Sequence, residues 1–488
     1  MSLSVALNTA RSSLTTTARQ IAVSGTNITD ADDPSRTRKI ALPSTDADGS
    51  VRVVSVTRAT DLPLFYRLLS SRSNTSGQNA VLDGLTRLSD TIGDTADGTS
   101  PAGRLADLVN ALQAQANQPS DRNLAQATLT AAKSLANTLA IASQTVETVR
   151  NDADAAMSDS VDKLNDLLAQ FTEVNQAIVR KTIAGEDVTD ALDHRDALLG
   201  QISGEVGVSV VSRANNDVAI YTDSGVTLFD KTARTVSFQP SAVLSAGVTG
   251  KAVYIDGVPV TGESGTMLLR SGNLSGLAVL RDTVAPMYQA QLDEFARGLV
   301  EAFAESDQSG GGGPDLAGLF TWSGGPGIPA IGTLSDGIAA SIGVSAAVDP
   351  GQGGSLDKLR DGGINGASYA YNTSGGASFS GRLQGLLTSV GTARAYDSAS
   401  GLESGTSLAT FGTASVGWLE GMRKAASDDA DYQSALMARA SEALSSATGV
   451  NIDDEYAMQL QLEQSYQASS KLITIINSMF QTLLDAVA

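Results

Sequence analysis

The chain's one histidine, His194, sits in Asp193-His194-Arg195-Asp196, where an imidazole flanked by carboxylates could serve acid–base or metal chemistry. That chemistry needs companions. With no second histidine and no cysteine, an ordinary zinc site lacks ligands. A serine triad would have to use His194, and no Gly-x-Ser-x-Gly turn accompanies it. His194 is expected on the mixed-charge surface of a helix. Ser–Lys chemistry is left open by composition alone.

Carboxylates offer two further candidates. Asp46-Ala47-Asp48-Gly49 and Asp94 to Gly98 resemble the start of calcium loops, but neither runs on to a Glu at the twelfth position, so both are expected to be turns. A two-carboxylate glycosidase is compatible with the composition, yet nothing singles out a pair. Gly310 to Gly313 lacks the Lys-Ser or Lys-Thr of a phosphate loop and follows a helical pattern, so it is expected to be a linker. No catalytic, cofactor-binding or metal-binding residue is expected, and the chain is not expected to be an enzyme.

Composition points the same way. The 488 residues suffice for several domains, and 53 acidic against 33 basic side chains give a net charge of -20. Such a surface disfavours nucleic acid and anionic membranes as partners. Aromatic content of 5% and 48 glycines suit Ala-rich helices joined to Gly-punctuated strands better than an aromatic-lined pocket. The absence of cysteine excludes disulfides and thiolate sites. The first residues have no basic region followed by an apolar core, so any export is expected to proceed without a cleaved signal peptide. Membrane insertion is not expected.

The elements that would position any site follow from periodicity. A helix over 3–28 ends before Pro34, Val51 to Thr57 alternates as a strand, and 62–202 reads as long helices broken near 93–103, 117–120 and Gly185. Short β-branched runs follow at Val206–Val211, Val218–Thr222, Val226–Phe229, Val236–Phe238 and Val253–Ile255, with Asp256-Gly257 as a hairpin signal. Helix returns over Leu274 to about Ala304, then over Leu402–Ala447 and Ile452–Val487. Gly449 is expected to cap the first of this last pair, and Asn451 or Asp453 to start the second.

The outermost helices carry matching heptads. Leu7, Leu14, Ile21 and Ile28 repeat at seven with Leu3, Ala10, Thr17 and Ser24 between them. Ile452, Gln459, Tyr466, Ile473, Phe480 and Val487 do likewise, with Leu462, Ser469, Ile476 and Leu483 between. A helix with a narrow apolar seam needs a partner. The expected fold is α+β and multidomain: terminal helices pairing as a coiled-coil or bundle region, a long-helix domain, and inserted β-rich middle domains. The expected units are 1–35 with 450–488 as a polymerisation region; 36–203 with 270–308 and 411–449 as the long-helix bundle; 204–269 as a small β domain; and 309–410 as a Gly/Ser-rich outer insertion, mixed or β.

Several stretches resemble the bacterial flagellar hook-associated protein 1 (FlgK) family of hook–filament junction proteins. Leu7-Asn8-Thr9-Ala10-Arg11-Ser12-Ser13-Leu14 and Ser24-Gly25-Thr26-Asn27-Ile28 are similar to the motif shared by flagellar rod, hook and junction proteins; Pro34-Ser35-Arg36-Thr37-Arg38 departs from the family's Gly-Tyr-Ser-Arg-Gln. Leu108 to Gln113 with Asn117 to Ser120, Leu192-Asp193-His194-Arg195-Asp196-Ala197-Leu198-Leu199, and Gly272 to Leu277 with Arg281-Asp282 and Tyr288 to Asp293 resemble elements of FlgK itself. Gly449 to Glu455 and Tyr466 to Lys471 resemble the terminal helix of hook and junction proteins.

The resemblance implies an exported, extracellular structural subunit of the bacterial flagellum that forms the hook–filament junction as a ring of copies. Its implied partners are the hook protein, a second junction protein, and an export chaperone on the C-terminal helix. The seam expected to drive assembly is Leu7, Leu14, Ile21, Ile28, Ile452, Leu462, Tyr466, Ile473, Ile476, Phe480, Leu483 and Val487. The alternatives are a hook or flagellin-like axial subunit, or an exported adhesin or hydrolase carried by the middle insertions. Converging carboxylates in a deep cleft of those insertions would favour the last.

Overall fold

A computed structural model describes residues 3–92 and 98–487, the last by its backbone alone. The expected turn at Asp94 to Gly98 therefore lies, except for Gly98, outside the described residues.

The first helix, α1 (Leu3–Asp30), stops at a turn built by Asp33, whose carboxylate accepts the Ser35 N–H at 2.9 Å. An antiparallel hairpin follows, β1 (Lys39–Thr45) and β2 (Val51–Arg58). Its turn is the Asp46 to Gly49 segment, with Gly49 left-handed at φ 83°. Only β2 is legible as alternation. Pro43 sits in β1 at a register shift, and proline is confined to such irregular or edge positions.

The bundle starts with α2 (Leu62–Ser89), α3 (Pro101–Asn117), α4 (Arg122–Ala184) and α5 (Thr189–Glu205). Side-chain caps set three of the starts. Asp61 accepts the Leu64 N–H at 3.0 Å, Ser100 the Gly103 N–H at 3.0 Å and Asp121 the Asn123 N–H at 2.8 Å. The 63-residue α4 is about 95 Å long. It ends at left-handed Gly185, whose N–H donates to Thr182 at 3.1 Å while Glu186 N–H donates to Lys181 at 2.9 Å. Leu129, Ala132, Ala136, Leu139, Val146, Ala153, Met157, Leu164, Phe171 and Ile178, at steps of three, four or seven, are all buried along it.

The first insertion forms a sheet of β3 (Val208–Ser212), β4 (Val218–Thr222), β5 (Thr227–Asp230) and β6 (Thr232–Ala233). A smaller one holds β7 (Val236–Ser237), β8 (Tyr254–Ile255) and β9 (Val258–Pro259). Asp256 and Gly257 turn between β8 and β9 with φ of 51° and 80°. Phe229 of β5 meets Phe171 of α4 edge-on at 5.0 Å, joining sheet to bundle. Two arginines hold the following loop. Arg150 donates to the carbonyls of Leu244, Ser245 and Val248 at 3.2, 2.9 and 2.6 Å, and fully buried Arg281 binds Asp154, Asp282 and the Lys251 carbonyl.

The helix expected from Leu274 is divided into α6 (Asn273–Val279), a π turn over Leu280–Val284, and α7 (Ala285–Ala302). Pro286 explains the break: it has no N–H, and its ring needs room at the carbonyl four residues back. Helix α6 crosses α2 at glycines. A Cβ on Gly276 would stand 2.2 Å from the Gly77 carbonyl oxygen. Gly276→Ala is expected to lower stability by about 1–3 kcal/mol, read as a reduced urea midpoint with unchanged slope.

The second insertion is irregular. It contains β10 (Phe320–Thr321), α8 (Ile338–Ser341), β11 (Gly343–Val344), α9 (Asp357–Asp361) and α10 (Gly381–Gly391), and it shares one continuous apolar core with the bundle. Phe303 meets Phe320 edge-on at 5.0 Å, and Tyr396 stacks on Phe411 at 4.0 Å. The Gly310 to Gly313 run is gathered around Asp307, whose carboxylate accepts the Ser309 and Gly313 N–H groups at 2.8 and 2.9 Å. A hydrogen bond from the Ser309 hydroxyl, with those two, holds its carboxyl down at about 2. The chain then returns through α11 (Leu408–Thr448) to α12 (Ile452–Val487). Gly449 ends α11 in an extended conformation, and Asn451 caps α12 by accepting the Asp453 N–H at 3.0 Å. The architecture is α+β and multidomain.

Asp293 of α7 pins α8 by accepting the Gly337 and Ala339 N–H groups at 3.0 and 2.9 Å. Burial nevertheless pushes its carboxyl up from 3.8 to about 6, against those bonds. Between these values the folded chain keeps a proton that the unfolded chain has released, so stability falls as pH rises through the window. The loss is on the order of 3 kcal/mol. Asp293→Asn is expected to flatten that stretch of the melting-temperature profile between pH 4 and 7.

Candidate assembly site

Helices α1 and α12 pack antiparallel, with Ser13 opposite Ser469 (Oγ–Oγ 3.2 Å) and Ser24 opposite Glu455. Small and polar residues run down the middle of the contact. Ala10, Thr17, Ser24, Ser469 and Ile476 are buried, whereas Leu7, Leu14, Ile21 and Ile28 are only half-buried on its shoulders. Short side chains let the backbones approach, and the larger ones close over the edges. On α12, Leu462, Ile473 and Phe480 are half-buried, while Ile452, Tyr466 and Leu483 are exposed; the Val487 side chain lies outside the described residues.

Polar groups, all but Ser24 outside the heptad, lock the pair. Glu455, 2% exposed, accepts from the Ser24 hydroxyl and from Arg38 Nε, each at 2.7 Å. Asn27 clamps the start of the hairpin, donating to the Lys39 carbonyl and accepting its N–H, both at 2.9 Å. Thr16 donates to the Val51 carbonyl at 2.7 Å. The family-like stretches Ser24 to Ile28 and Gly449 to Glu455 contain three of these residues; for Asn27 and Glu455 resemblance was the one signal in the sequence, whereas the heptad also places Ser24 on the seam.

The Asp193-His194-Arg195-Asp196 segment of α5 turns out to be the joint between this pair and the bundle. Asp193 is buried and accepts from the Thr37 hydroxyl at 2.7 Å and from Arg58 at 2.9 Å. Arg58 also pairs with Asp196 at 2.6 Å. Burial raises the Asp196 carboxyl against the pull of Arg58. Arg195 faces inward to Asn175 Oδ1 at 3.1 Å and to the Asn216 carbonyl. Lys39 and Arg36 both reach Asp190, and the Lys39 hydrogen bond holds that carboxyl below its usual range. His194 is exposed. Among the described residues no cluster of three His, Cys, Asp or Glu could hold a metal, and no helix is long and apolar enough to cross a membrane.

A smaller cleft of about 220 Å³ between α4, α7 and the insertions has Glu147 and Asp336 on its walls. Arg150, also on its wall, is spent on backbone carbonyls.

Residues 85–318 match the family described as the flagellar hook-associated protein FlgK helical domain. That stretch is similar to a FlgK helical domain. Residues 441–486, containing all of α12 but its last residue, match the flagellar basal body rod FlgEFG protein C-terminal family. The flagellar hook-associated protein 1 of Escherichia coli (strain K12) is 25% identical over 263 residues, covering 53% of this chain and 47% of that protein. That of Salmonella typhimurium (strain LT2) is 25% identical over 256 residues, covering 52% and 46%. The chain thus spans about half the length of the relatives it matches. The structure of the flagellar hook junction protein FlgK from Burkholderia pseudomallei aligns with a TM-score of 0.42 and 22% identity, over 53% of this chain and 47% of that one. The FlgK helical domain match takes in most of the bundle and the β insertion; the rod-type match takes in the end of α11.

Glu455→Ala would leave Arg38 and Ser24 without their shared acceptor. It is expected to loosen the α1–α12 pair by about 3 kcal/mol, seen as faster amide exchange in both helices with exchange in α4 unchanged.

Proposed function

We propose that this chain is a structural, non-enzymatic subunit of the bacterial flagellum, built as a ring of copies at the junction between hook and filament. One observation carries the reading: a rod-type C-terminal helix pairs with α1 at the foot of a FlgK helical domain and keeps apolar surface to spare. Leu472, Ile475, Met479 and Leu483 recur at steps of three and four on α12 and are about half exposed. The α1–α12 pair is the polymerisation region, with Leu7, Leu14, Ile21, Ile28, Ile452, Leu462, Tyr466, Ile473, Ile476, Phe480, Leu483 and Val487 shared between the pair and its neighbours.

The bundle over 36–203, 270–308 and 411–449 acts as the spacer, and 204–269 and 309–410 as its outer attachments. The partners proposed are further copies, the hook protein, a second junction protein and an export chaperone holding α12. The subunit works outside the cell. In the free subunit α12 is covered by α1 on one face alone, so the pair opens before the bundle does and orders on assembly.

The test is electron microscopy of a strain lacking the chain. Hooks without filaments, with filament protein lost to the medium, are expected; normal filaments would overturn the reading. Leu14→Asp or Ile476→Asp places a charge in the pair at a cost of several kcal/mol, and is expected to block complementation while circular dichroism shows the bundle folded.

A further inference from the structure

A cleft of about 420 Å³ opens where the base of the terminal pair meets the bundle. Leu62, Phe65 and Leu68 of α2, Leu444 of α11 and Val450 beyond it line it together with Arg72 and four carboxylates. Asp193 and Asp196 are met by Arg58, Asp33 by Arg36 at 3.7 Å, and Asp61 by the Leu64 N–H at 3.0 Å. The guanidinium of Arg72 is seated against α5 at Gly200, where an added Cβ would stand 2.6 Å from Nη1. The other two arginines on the wall are committed, Arg58 to Asp193 and Asp196 and Arg36 to Asp190. Among the described residues Arg72 has no ion pair or hydrogen bond. A half-buried cation that these carboxylates leave unpartnered, beside apolar side chains, suits an anion delivered together with an apolar group.

The chain displays such a group. Tyr432 on α11 is the most exposed aromatic among the described residues, at 60%, and Asp431 beside it is exposed and unpaired. The nearby Asp428 is already met by Lys424 at 2.8 Å. Tyr432 and Leu444 share one unbroken helix, whose rise sets them about 18 Å apart. The ridge cannot reach the cleft of its own molecule.

We propose that Asp431 and Tyr432 of one copy dock into the Arg72 cleft of the next. Asp431 pairs with Arg72, and the Tyr432 ring covers Phe65 and Leu62. Ridge and cleft are different patches of one surface, so the contact is head-to-tail and repeats around a ring or along a helix. It commits the cleft to a second copy of this chain, and it rests on the assembly reading above.

The test uses the full chain assembled on hooks, with Tyr432 replaced by a photo-reactive benzoylphenylalanine. Expected is a cross-linked pair of copies, mapped by mass spectrometry from position 432 to the Leu62–Arg72 or Leu444–Val450 region. In parallel, Arg72→Glu and Asp431→Arg are each expected to reduce incorporation at least about tenfold, with recovery when the two are combined. Cross-links from an assembled chain to other surfaces or to another protein, or no recovery in a folded double variant, would overturn the docking and leave the assembly reading standing. Failure of the unmodified chain to assemble at all would overturn both. If Arg72→Glu prevents folding, the cross-link map decides.

Discussion

A carboxylate withdrawn from water must be met by donors, and Asp193 meets that demand with groups from a different part of the chain. Its acceptors are filled by Thr37, just before the hairpin, and Arg58, at its end, while the helix it belongs to faces the bundle through Arg195. The segments that connect terminal pair to bundle thus cross one charged joint. Glu455 repeats the device on the other strand of the connection, tying Arg38 to the start of α12. Fixing these two carboxylates fixes where α1 and α12 lie.

The insertions obey a related constraint. Both are fastened to the bundle by buried arginines that satisfy backbone carbonyls, Arg150 and Arg281 for the first, Arg297 at the Ala395 carbonyl for the second. Loops rich in glycine present many unpaired carbonyls, and a guanidinium offers five donors in a fixed fork. The FlgK helical domain match ends at residue 318, so most of the second insertion lies beyond it.

Much of the fold was readable because it rests on local signals. The breaks near 93–103 and 117–120 and at Gly185 separate the helices, with Ser100 and Asp121 found as the caps that restart them, and the β-branched runs of 208–255 announce their strands. Strand β1 was hidden by Pro43, and the division of the 273–302 helix by a proline whose effect is a π turn rather than a stop. The site was legible in outline and not in detail. Heptad spacing identifies which helices pair, but Leu7, Leu14, Ile21 and Ile28 take the shoulders because Ser24 and Glu455 bond across the middle. No periodicity reports a serine–glutamate contact between residues so far apart in sequence. Nor does it distinguish the inward Asp193 and Arg195 from the outward His194 between them.

The antiparallel pairing of α1 with α12 also sets an order in time. Chains emerge from the ribosome N-terminus first, so α1 waits for its partner until everything between them has been made. The bundle's largest helix contact, α2 against α11, spans nearly as much chain, but it can close before α12 is made and carry residues 31 and 449 to the same place. Closing the pair then costs little more than ordering two helices, because the loop entropy of the intervening chain has already been spent. The last structure to form is thereby the first to yield.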